Sequence, residues 1–215
     1  CLDRGVKRVV ALSTDKACSP VNLYGATKLV SDKLFIAGNC YSGSSGCKFS
    51  VVRYGNVMGS RGSVIPYFMT LRDSGMLPIT DLRMTRFMIS LDAGVELVWH
   101  ALEDMEGGEI YVKKIPSMTI EAIARVVAPQ ASLNIIGPRA GEKLHEEMIS
   151  LEDGVFTYEY DGYFKILPAI NGWSQCKNRI KGGVKVPEGF SYSSDANPNW
   201  MSGEDLISWI NANFG

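Results

Sequence analysis

A tyrosine and a lysine four residues apart, Tyr24 and Lys28, carry the most distinctive chemistry of this sequence. On a helix the two side chains share one face, one turn apart. A phenol beside an ammonium group is suited to proton transfer, because the positive charge favours the phenolate that acts as a base. The same spacing is common among surface pairs of ordinary helices, so its meaning depends on the residues around it.

Three more hydrogen-bonding side chains precede this pair: Thr14, Asp15 and Lys16. They follow an apolar run at residues 6–12 that is typical of a buried strand. In open α/β sheets, ligands bind outside the carboxyl ends of the strands. We therefore expect a hydroxyl, a carboxylate and an ammonium at the edge of the sheet where the phenol–ammonium pair also lies.

The elements around these residues predict a strand–helix–strand unit. After a turn at Ser19-Pro20, a helix is expected over residues 22–37 and a second strand over residues 49–54. Such an order implies parallel strands joined by a right-handed crossover. Five apolar residues are expected to pack the helix against the sheet: Leu23, Leu29, Val30, Leu34 and Phe35.

The predicted fold class is α/β, the C-terminal part of a Rossmann-like doubly wound parallel sheet with a small α/β substrate-binding lobe. We place residues 1–77 in the catalytic half of the dinucleotide-binding domain. Residues 78–215 are assigned mostly to the substrate lobe, with segments returning to the main sheet. The predicted later helices cover residues 64–72, 92–105, 119–128 and 204–213, and the predicted later strands cover residues 110–112 and 133–136.

A glycine-rich turn for a pyrophosphate is absent from the sequence. Gly55-x-x-x-Gly59-x-x-Gly62 comes nearest to G-x-G-x-x-G, but its spacing is wrong for a dinucleotide. We therefore expect the sequence to be the C-terminal two-thirds of a longer enzyme, without the first strands and the glycine-rich turn. Such a chain would leave an edge of its first strand exposed, and we expect another segment or chain to cover that edge.

Composition excludes several classes of protein. Apolar residues make up 46% of the 215 residues and charged residues 21%, an ordinary globular balance. A net charge of −1 favours neither a nucleic-acid nor an anionic-membrane partner. No apolar run approaches the roughly 20 residues of a membrane-spanning helix, and no signal peptide is recognisable. We expect a cytoplasmic protein with no membrane partner.

No metal site is expected either. The five cysteines are scattered, which suits reduced thiols better than a disulfide framework or a zinc site: Cys1, Cys18, Cys40, Cys47 and Cys176. His145 lies in HEEM, which lacks the second histidine of H-E-x-x-H, so a structural role is expected.

The full string at residues 13–28, STDKACSPVNLYGATK, resembles the inverting UDP-N-acetylglucosamine 4,6-dehydratases of the extended short-chain dehydrogenase/reductase family. Those enzymes open the route to pseudaminic acid and related bacterial sugars, including those of flagellin glycosylation. Membrane-anchored relatives that retain the C5 configuration share STDKA but carry methionine where this chain has Tyr24. The tyrosine therefore favours the inverting branch.

The resemblance implies a role for each residue of this string. A 4,6-dehydratase, a lyase, oxidises C4, eliminates water across C5–C6 and returns the hydride to C6. Tyr24 would be the base for the C4 hydroxyl, Lys28 would hold the nicotinamide ribose, and Thr14 would hydrogen-bond the C4 oxygen. Lys16 would take the C5 proton and Asp15 would protonate the departing C6 hydroxyl, although the reverse assignment stays open.

Three later motifs extend the resemblance: RYGNV at residues 53–57, TDLRMTRF at 80–87 and PRAGEKLHE at 138–146. Together with the string at residues 13–28, these motifs imply cofactor contacts by Tyr24, Lys28, Tyr54 and Val57. They imply substrate contacts by Asn56, Thr80, Arg86, Arg139 and Glu142, whereas Arg83 is expected on a solvated face. The implied cofactor is NADP, with NAD as the alternative, bound mainly by the missing N-terminal part.

The implied partners are a UDP-sugar and further copies of the chain, a hexamer by resemblance. Two alternatives stay open: a sugar-nucleotide 4-epimerase on the same scaffold, and a UDP-sugar-binding chain that catalyses nothing. Asp15-Lys16 argues against the epimerase, because an epimerase needs no elimination pair. The exact sugar, the fate of C5 and the pathway are not fixed by the sequence.

Overall fold

The computed structural model describes residues 1–43, 46–170 and 175–214. Its strands are β1 Arg8–Thr14, β2 Lys48–Tyr54, β3 Asn56–Val57, β4 Met76–Ile79, β5 Thr85–Ile89, β6 Ile110–Lys113, β7 Ser117–Thr119, β8 Ser132–Ile135, β9 Glu147–Ile149, β10 Thr157–Glu159, β11 Tyr163–Ile166, β12 Val184–Lys185 and β13 Tyr192–Ser193. Its helices are α1 Leu23–Tyr41, α2 Val64–Leu71, α3 Leu91–Asp104, α4 Ile120–Val127, α5 Leu151–Gly154, α6 Lys177–Ile180 and α7 Gly203–Phe214. The predicted elements are present, and the first helix is longer than expected.

The chain divides into two compact units. The first unit comprises Cys1–Tyr54, Asp92–Lys114 and Glu147–Tyr192, and the second comprises Gly55–Leu91, Ile115–Glu146 and Ser193–Gly215. This division differs from the predicted boundary between residues 77 and 78, because the chain leaves the main sheet as soon as β2 ends. The main sheet also contains later strands of the chain, β6, β10, β11 and β12.

The first unit is built on a six-stranded sheet in the order β1-β2-β6-β11-β10-β12. β1, β2 and β6 pair in parallel, and the remaining strands add in antiparallel orientation. α1 connects β1 to β2 and α3 lies between β2 and β6, as parallel pairing requires. β1 stands at one end of this order, so among the described residues its outer edge pairs with no strand, as predicted.

Part of the predicted packing face of α1 is wrong. Leu23 is 80% exposed, and Val30 and Leu34 are exposed as well. Leu29 and Phe35 are half-buried, and the Phe35 ring centroid lies 6.2 Å from that of Phe49 in β2.

The residues that α1 buries fully are Gly25 and Asp32. This face therefore combines the Phe35 contact with close packing of the first helical turn and a buried ion pair.

The second unit has its own core. A small sheet in the order β3-β5-β7 and a parallel pair of β4 and β8 pack with α2, α4 and α7. Fully buried side chains from these strands and helices fill the space between them: Ile65, Leu77, Ile79, Met84, Ile123 and Leu206. Thr119 caps α4, accepting from the backbone N–H of Ala122 at 3.0 Å.

No helix among the described residues has both the length and the apolar character needed to cross a bilayer.

Candidate active site

The end of β1 and the turn after it hold Thr14, Asp15 and Lys16 in one hydrogen-bonded group. Thr14 Oγ1 donates to Asp15 Oδ1 at 2.7 Å, and Lys16 Nζ donates to the same oxygen at 3.0 Å. Thr14 Oγ1 also accepts from the Lys16 backbone N–H at 3.4 Å, which caps a 3₁₀ turn over Asp15–Ala17. These bonds fix the three side chains relative to one another, as proton transfer requires.

Asp15 is the buried member of this group. Its side chain is 0% exposed, whereas that of Lys16 is 34% exposed. Asp15 Oδ2 has no hydrogen-bond partner within the part of the chain that the structure describes. A buried oxygen without a donor is costly, and such exceptions concentrate at functional sites.

The first turns of α1 present Tyr24 and Lys28. Asn22 caps the helix by accepting from the Gly25 backbone N–H at 2.8 Å. Tyr24 is 53% exposed, and Lys28 Nζ donates to the Leu12 carbonyl of β1 at 3.3 Å. The phenol and the ammonium therefore lie one helical turn apart, and the ammonium is bonded to β1, the strand that ends at Thr14.

Tyr54 also lies at this edge of the sheet. The register of β1 and β2 pairs it with Thr14. Burial raises the pKa of the Tyr54 phenol, and the neighbouring Tyr24 raises it further. Tyr54 is therefore a neutral hydrogen-bonding group at neutral pH, and it lies near Tyr24.

Gly25 allows the turn at Asp15–Ala17 and the first turn of α1 to approach closely. A Cβ atom at this position would lie 2.3 Å from the Lys16 carbonyl oxygen and 3.0 Å from Pro20 Cβ. The first of these distances is shorter than real Cβ contacts allow, and the neighbouring atom belongs to the backbone. Glycine therefore sets the separation between the backbones of Lys16 and Tyr24.

Replacing Gly25 by alanine in the full-length protein is expected to lower turnover about ten- to 100-fold, because the Lys16 backbone must move away. Gly94 is the matched control, since a Cβ atom there meets nothing within 4 Å. Steady-state kinetics of both alanine variants would test this expectation. Equal turnover in the two variants would contradict it.

A buried arginine anchors α1 from the neighbouring strand. Arg53 of β2 is 2% exposed; its Nη2 lies 3.2 Å from Asp32 Oδ2, and its Nη1 lies 3.0 Å from Asp153 Oδ2. Nη1 also donates to the Met148 carbonyl at 2.7 Å. Burial alone would lower the pKa of Arg53, but the carboxylates outweigh it and raise the pKa, so the guanidinium stays charged.

The second unit carries the remaining predicted residues. Asn56 and Val57 form β3 and pair with Met88 and Ile89 of β5. Thr80 follows β4 directly and is half-buried. Arg83 lies at the surface as expected, bound through two bonds of 3.0 and 2.7 Å to Asp81.

Arg86 is 7% exposed and holds the segment that follows β8. Its guanidinium donates to the carbonyls of Leu144 and Lys143, each at 3.1 Å. Nη2 also lies 3.6 Å from Glu142 Oε1, and Nε lies 3.8 Å from Glu146 Oε1. Two predicted substrate residues, Arg86 and Glu142, are thus in contact with each other.

Arg139 is exposed on the same segment, and its carbonyl accepts from the Glu142 backbone N–H at 3.2 Å. His145 Nδ1 lies 2.9 Å from Thr85 Oγ1, a contact that fixes the segment to β5. Arg86 and Glu142 are therefore joined by their side chains, and Arg139 is joined to Glu142 through its backbone.

Comparisons with known proteins identify the family of this chain. A family described as polysaccharide biosynthesis protein matches residues 1–168. The chain belongs to this family.

Three similar proteins have longer chains. An inverting UDP-N-acetylglucosamine 4,6-dehydratase of Campylobacter jejuni is 56% identical over 98% of this chain and 65% of its own length. A UDP-glucose 4-epimerase of Rickettsia akari is 37% identical over 86% of this chain and 56% of its own length. The crystal structure of Pen from Bacillus thuringiensis superposes with a TM-score of 0.85 at 32% identity, covering 99% of this chain and 64% of that one.

These comparisons confirm the predicted resemblance and the α/β fold class. The chain spans about two-thirds of the length of the curated dehydratase that it matches, 65%.

A nicotinamide cofactor is the group that this family implies. In this chain, Tyr24, Lys28 and Tyr54 lie at one edge of the first unit's sheet. Two glycines of the string at residues 55–62 allow close packing: a Cβ at Gly55 would lie 2.4 Å from Phe87 Cβ, and one at Gly59 would lie 2.7 Å from the Trp209 ring.

The sequence did not predict three acidic residues that hold α1 and the loop before it within the first unit: Asp32, Glu147 and Asp153. Their partners are about 20 to 130 positions away in the chain, so local patterns do not reveal them. One sequence pattern did indicate such a distant partner. An arginine within the otherwise apolar strand FSVVRY has to meet a counter-charge when it is buried.

Proposed function

We propose that the protein containing this chain dehydrates UDP-N-acetylglucosamine to a UDP-4-keto-6-deoxy-hexosamine and inverts C5. The observation that carries the proposal is the hydrogen-bonded group of Thr14, Asp15 and Lys16 beside Tyr24 and Lys28. An oxidation site alone needs the tyrosine and the lysine. A site that also eliminates water needs a second acid–base pair, which Asp15 and Lys16 supply.

Tyr24 is assigned as the base that removes the C4 hydroxyl proton. Its exposure suits direct contact with a substrate. Thr14 is assigned to hydrogen-bond the C4 oxygen, a task that suits its fixed position at the end of β1.

Lys16 is assigned as the base at C5 and Asp15 as the acid at the C6 hydroxyl. Lys16 is the more exposed of the two, which suits the group that must reach the substrate. Asp15 is held by two donors on one oxygen, and its other oxygen is the one that could carry a proton. The reverse assignment would exchange the two roles without changing the reaction.

NADP is proposed as the cofactor, with NAD as the alternative, and Tyr24, Lys28, Tyr54 and Val57 as the residues of this chain that contact it. When bound, the cofactor would accept hydride from C4 and supply it to C6. The proposed UDP-sugar contacts are Asn56, Thr80, Arg86, Arg139 and Glu142. Arginine and a carboxylate suit a diphosphate and a ribose hydroxyl respectively.

The biological setting is also a proposal. We place the enzyme in the cytoplasm, as a homo-oligomer that supplies pseudaminic acid or a related surface glycan, with flagellin as one acceptor. A nucleotide-sugar lyase in polysaccharide biosynthesis fits the family to which the chain belongs.

The test is NMR of UDP-N-acetylglucosamine incubated with the full-length protein and NADP in deuterated water. The expected product has a keto group at C4, a methyl group at C6, deuterium at C5 and the inverted C5 configuration. A product that keeps the C5 configuration would contradict the inversion. Unchanged substrate would contradict the dehydratase.

A 4-epimerase is the second candidate, because named UDP-glucose 4-epimerases are 37% identical to this chain. The same NMR experiment separates the two activities. An epimerase would give a UDP-sugar with the C4 configuration reversed, the C6 hydroxyl retained and no deuterium at C5.

A further inference from the structure

The loop that joins the turn at Asp15–Ala17 to α1 has a strained backbone. Ser19 has a φ of +44°, in the left-handed region that residues with a Cβ rarely adopt. Pro20 follows directly, and a residue before proline prefers the extended region. Ser19 would therefore move to an extended conformation unless another group held it.

Glu147 of β9 holds this loop from a distant part of the chain. Its Oε2 accepts from Ser19 Oγ at 2.8 Å and lies 3.5 Å from Cys18 Sγ. Burial and the charge of Glu147 raise the pKa of the Cys18 thiol to about 12, so the thiol stays protonated and can donate. One carboxylate oxygen thus binds two successive side chains of the strained segment.

The loop separates the two halves of the proposed chemistry. Lys16 precedes it and Tyr24 follows it. The Lys16 carbonyl and Pro20 both lie against Gly25, so a change at Ser19 is transmitted to the contact between the turn and the helix.

We propose that Glu147 is a positioning residue that holds Ser19 in its strained conformation and thereby sets the separation of Lys16 and Tyr24. This proposal rests on the dehydratase function for its kinetic readout. Glu147 touches neither reacting group and acts through the loop.

The test compares Glu147→Ala with Glu147→Gln in the full-length enzyme. The alanine variant should lose about ten- to 100-fold in kcat while KM for UDP-N-acetylglucosamine stays within about threefold. The glutamine variant should stay within about threefold of wild type in kcat, because its amide oxygen still accepts from Ser19. Glu152→Ala, an exposed acid of the same unit, is the matched control and should have wild-type kcat.

Ser19→Gly supplies the decisive second variant. Glycine adopts a positive φ without strain, so the loop no longer needs the carboxylate. In the Ser19→Gly background, Glu147→Ala should therefore lower kcat by less than about fivefold. A purely structural role for Glu147 would instead give the same loss in both backgrounds.

Hydrogen exchange of the peptide that spans residues 17–24 provides a readout independent of activity. Exchange should be faster in Glu147→Ala than in wild type and near the wild-type rate in Glu147→Gln. Unchanged exchange, unchanged kcat in Glu147→Ala, or no suppression by Ser19→Gly would each overturn the proposal. An inactive but folded wild-type enzyme would refute the dehydratase function instead, and exchange alone would then decide whether Glu147 holds the loop.

Discussion

Replacing Tyr24 by phenylalanine is expected to lower kcat of the full-length enzyme about 10³-fold, the scale of a lost general base. The substitution removes one oxygen from a half-exposed side chain at the first turn of α1, so it leaves no buried polar group unsatisfied. The Thr14–Asp15–Lys16 group and the cap at Asn22 do not involve that oxygen. The fold should therefore persist while proton removal from C4 fails.

Two measurements would check this expectation. Turnover is followed by NMR of the 4-keto product, and UDP-N-acetylglucosamine affinity by calorimetry, which should change less than about threefold. Tyr41→Phe is the matched control, because Tyr41 is an exposed tyrosine at the other end of the same helix. Near-normal turnover of the Tyr24 variant would remove Tyr24 from the role of base.

Replacing Arg53 by methionine should lower the free energy of unfolding by about 3–5 kcal/mol, as expected when one partner of a buried ion pair is removed. The substitution leaves Asp32 buried without its counter-charge and the Met148 carbonyl without its donor. Denaturant unfolding of the full-length protein measures the loss. Arg72→Met is the control, because Arg72 forms an exposed pair with Asp73 that should contribute less than about 1 kcal/mol.

The loss in the Arg53 variant should depend on pH. Burial raises the pKa of Asp32, and the Arg53 charge partly offsets this, so the pKa rises further in the variant. A carboxyl with a higher pKa in the folded state is destabilising once the pH exceeds its unfolded value of about 3.9, and the penalty grows until its folded pKa is passed. The loss of unfolding free energy in the Arg53→Met variant should therefore be larger at about pH 7 than at about pH 4.

Asp32→Asn in the Arg53→Met background should abolish this difference, because the buried group then carries no charge. Equal losses for the Arg53 and Arg72 variants would contradict a buried anchor. A pH-independent loss would exclude Asp32 as its cause.

Local bonds explain why much of the site was predictable. Asn22 and Thr119 cap their helices through bonds to backbone groups only three residues away, which a sequence pattern reveals directly. Thr14, Asp15 and Lys16 likewise bond to one another within a single turn. Their placement at the end of a strand follows from the strand–helix–strand order alone.

The features that the sequence did not predict depend on residues that are far apart in the chain. The packing face of α1 was misjudged because Leu23 and Val30 satisfy helical periodicity, whereas the buried Asp32 is held by an arginine from another strand. Glu147 and Ser19 are 128 positions apart, and no local sequence pattern predicts a positive φ at a serine. The division into units was missed for a similar reason, since β3 pairs with β5 rather than with the strand before it.

The positions of Tyr24, Lys28 and Asp32 along α1 limit how the length of this helix can change. The proposed base, the adjacent ammonium and the anchor to Arg53 follow one another at intervals of four residues on one face. One residue inserted between Lys28 and Asp32 would rotate Asp32 about the helix axis by about 100° relative to Tyr24 and Lys28. Homologous helices should therefore tolerate substitutions on their outer face far more readily than insertions or deletions between these three positions.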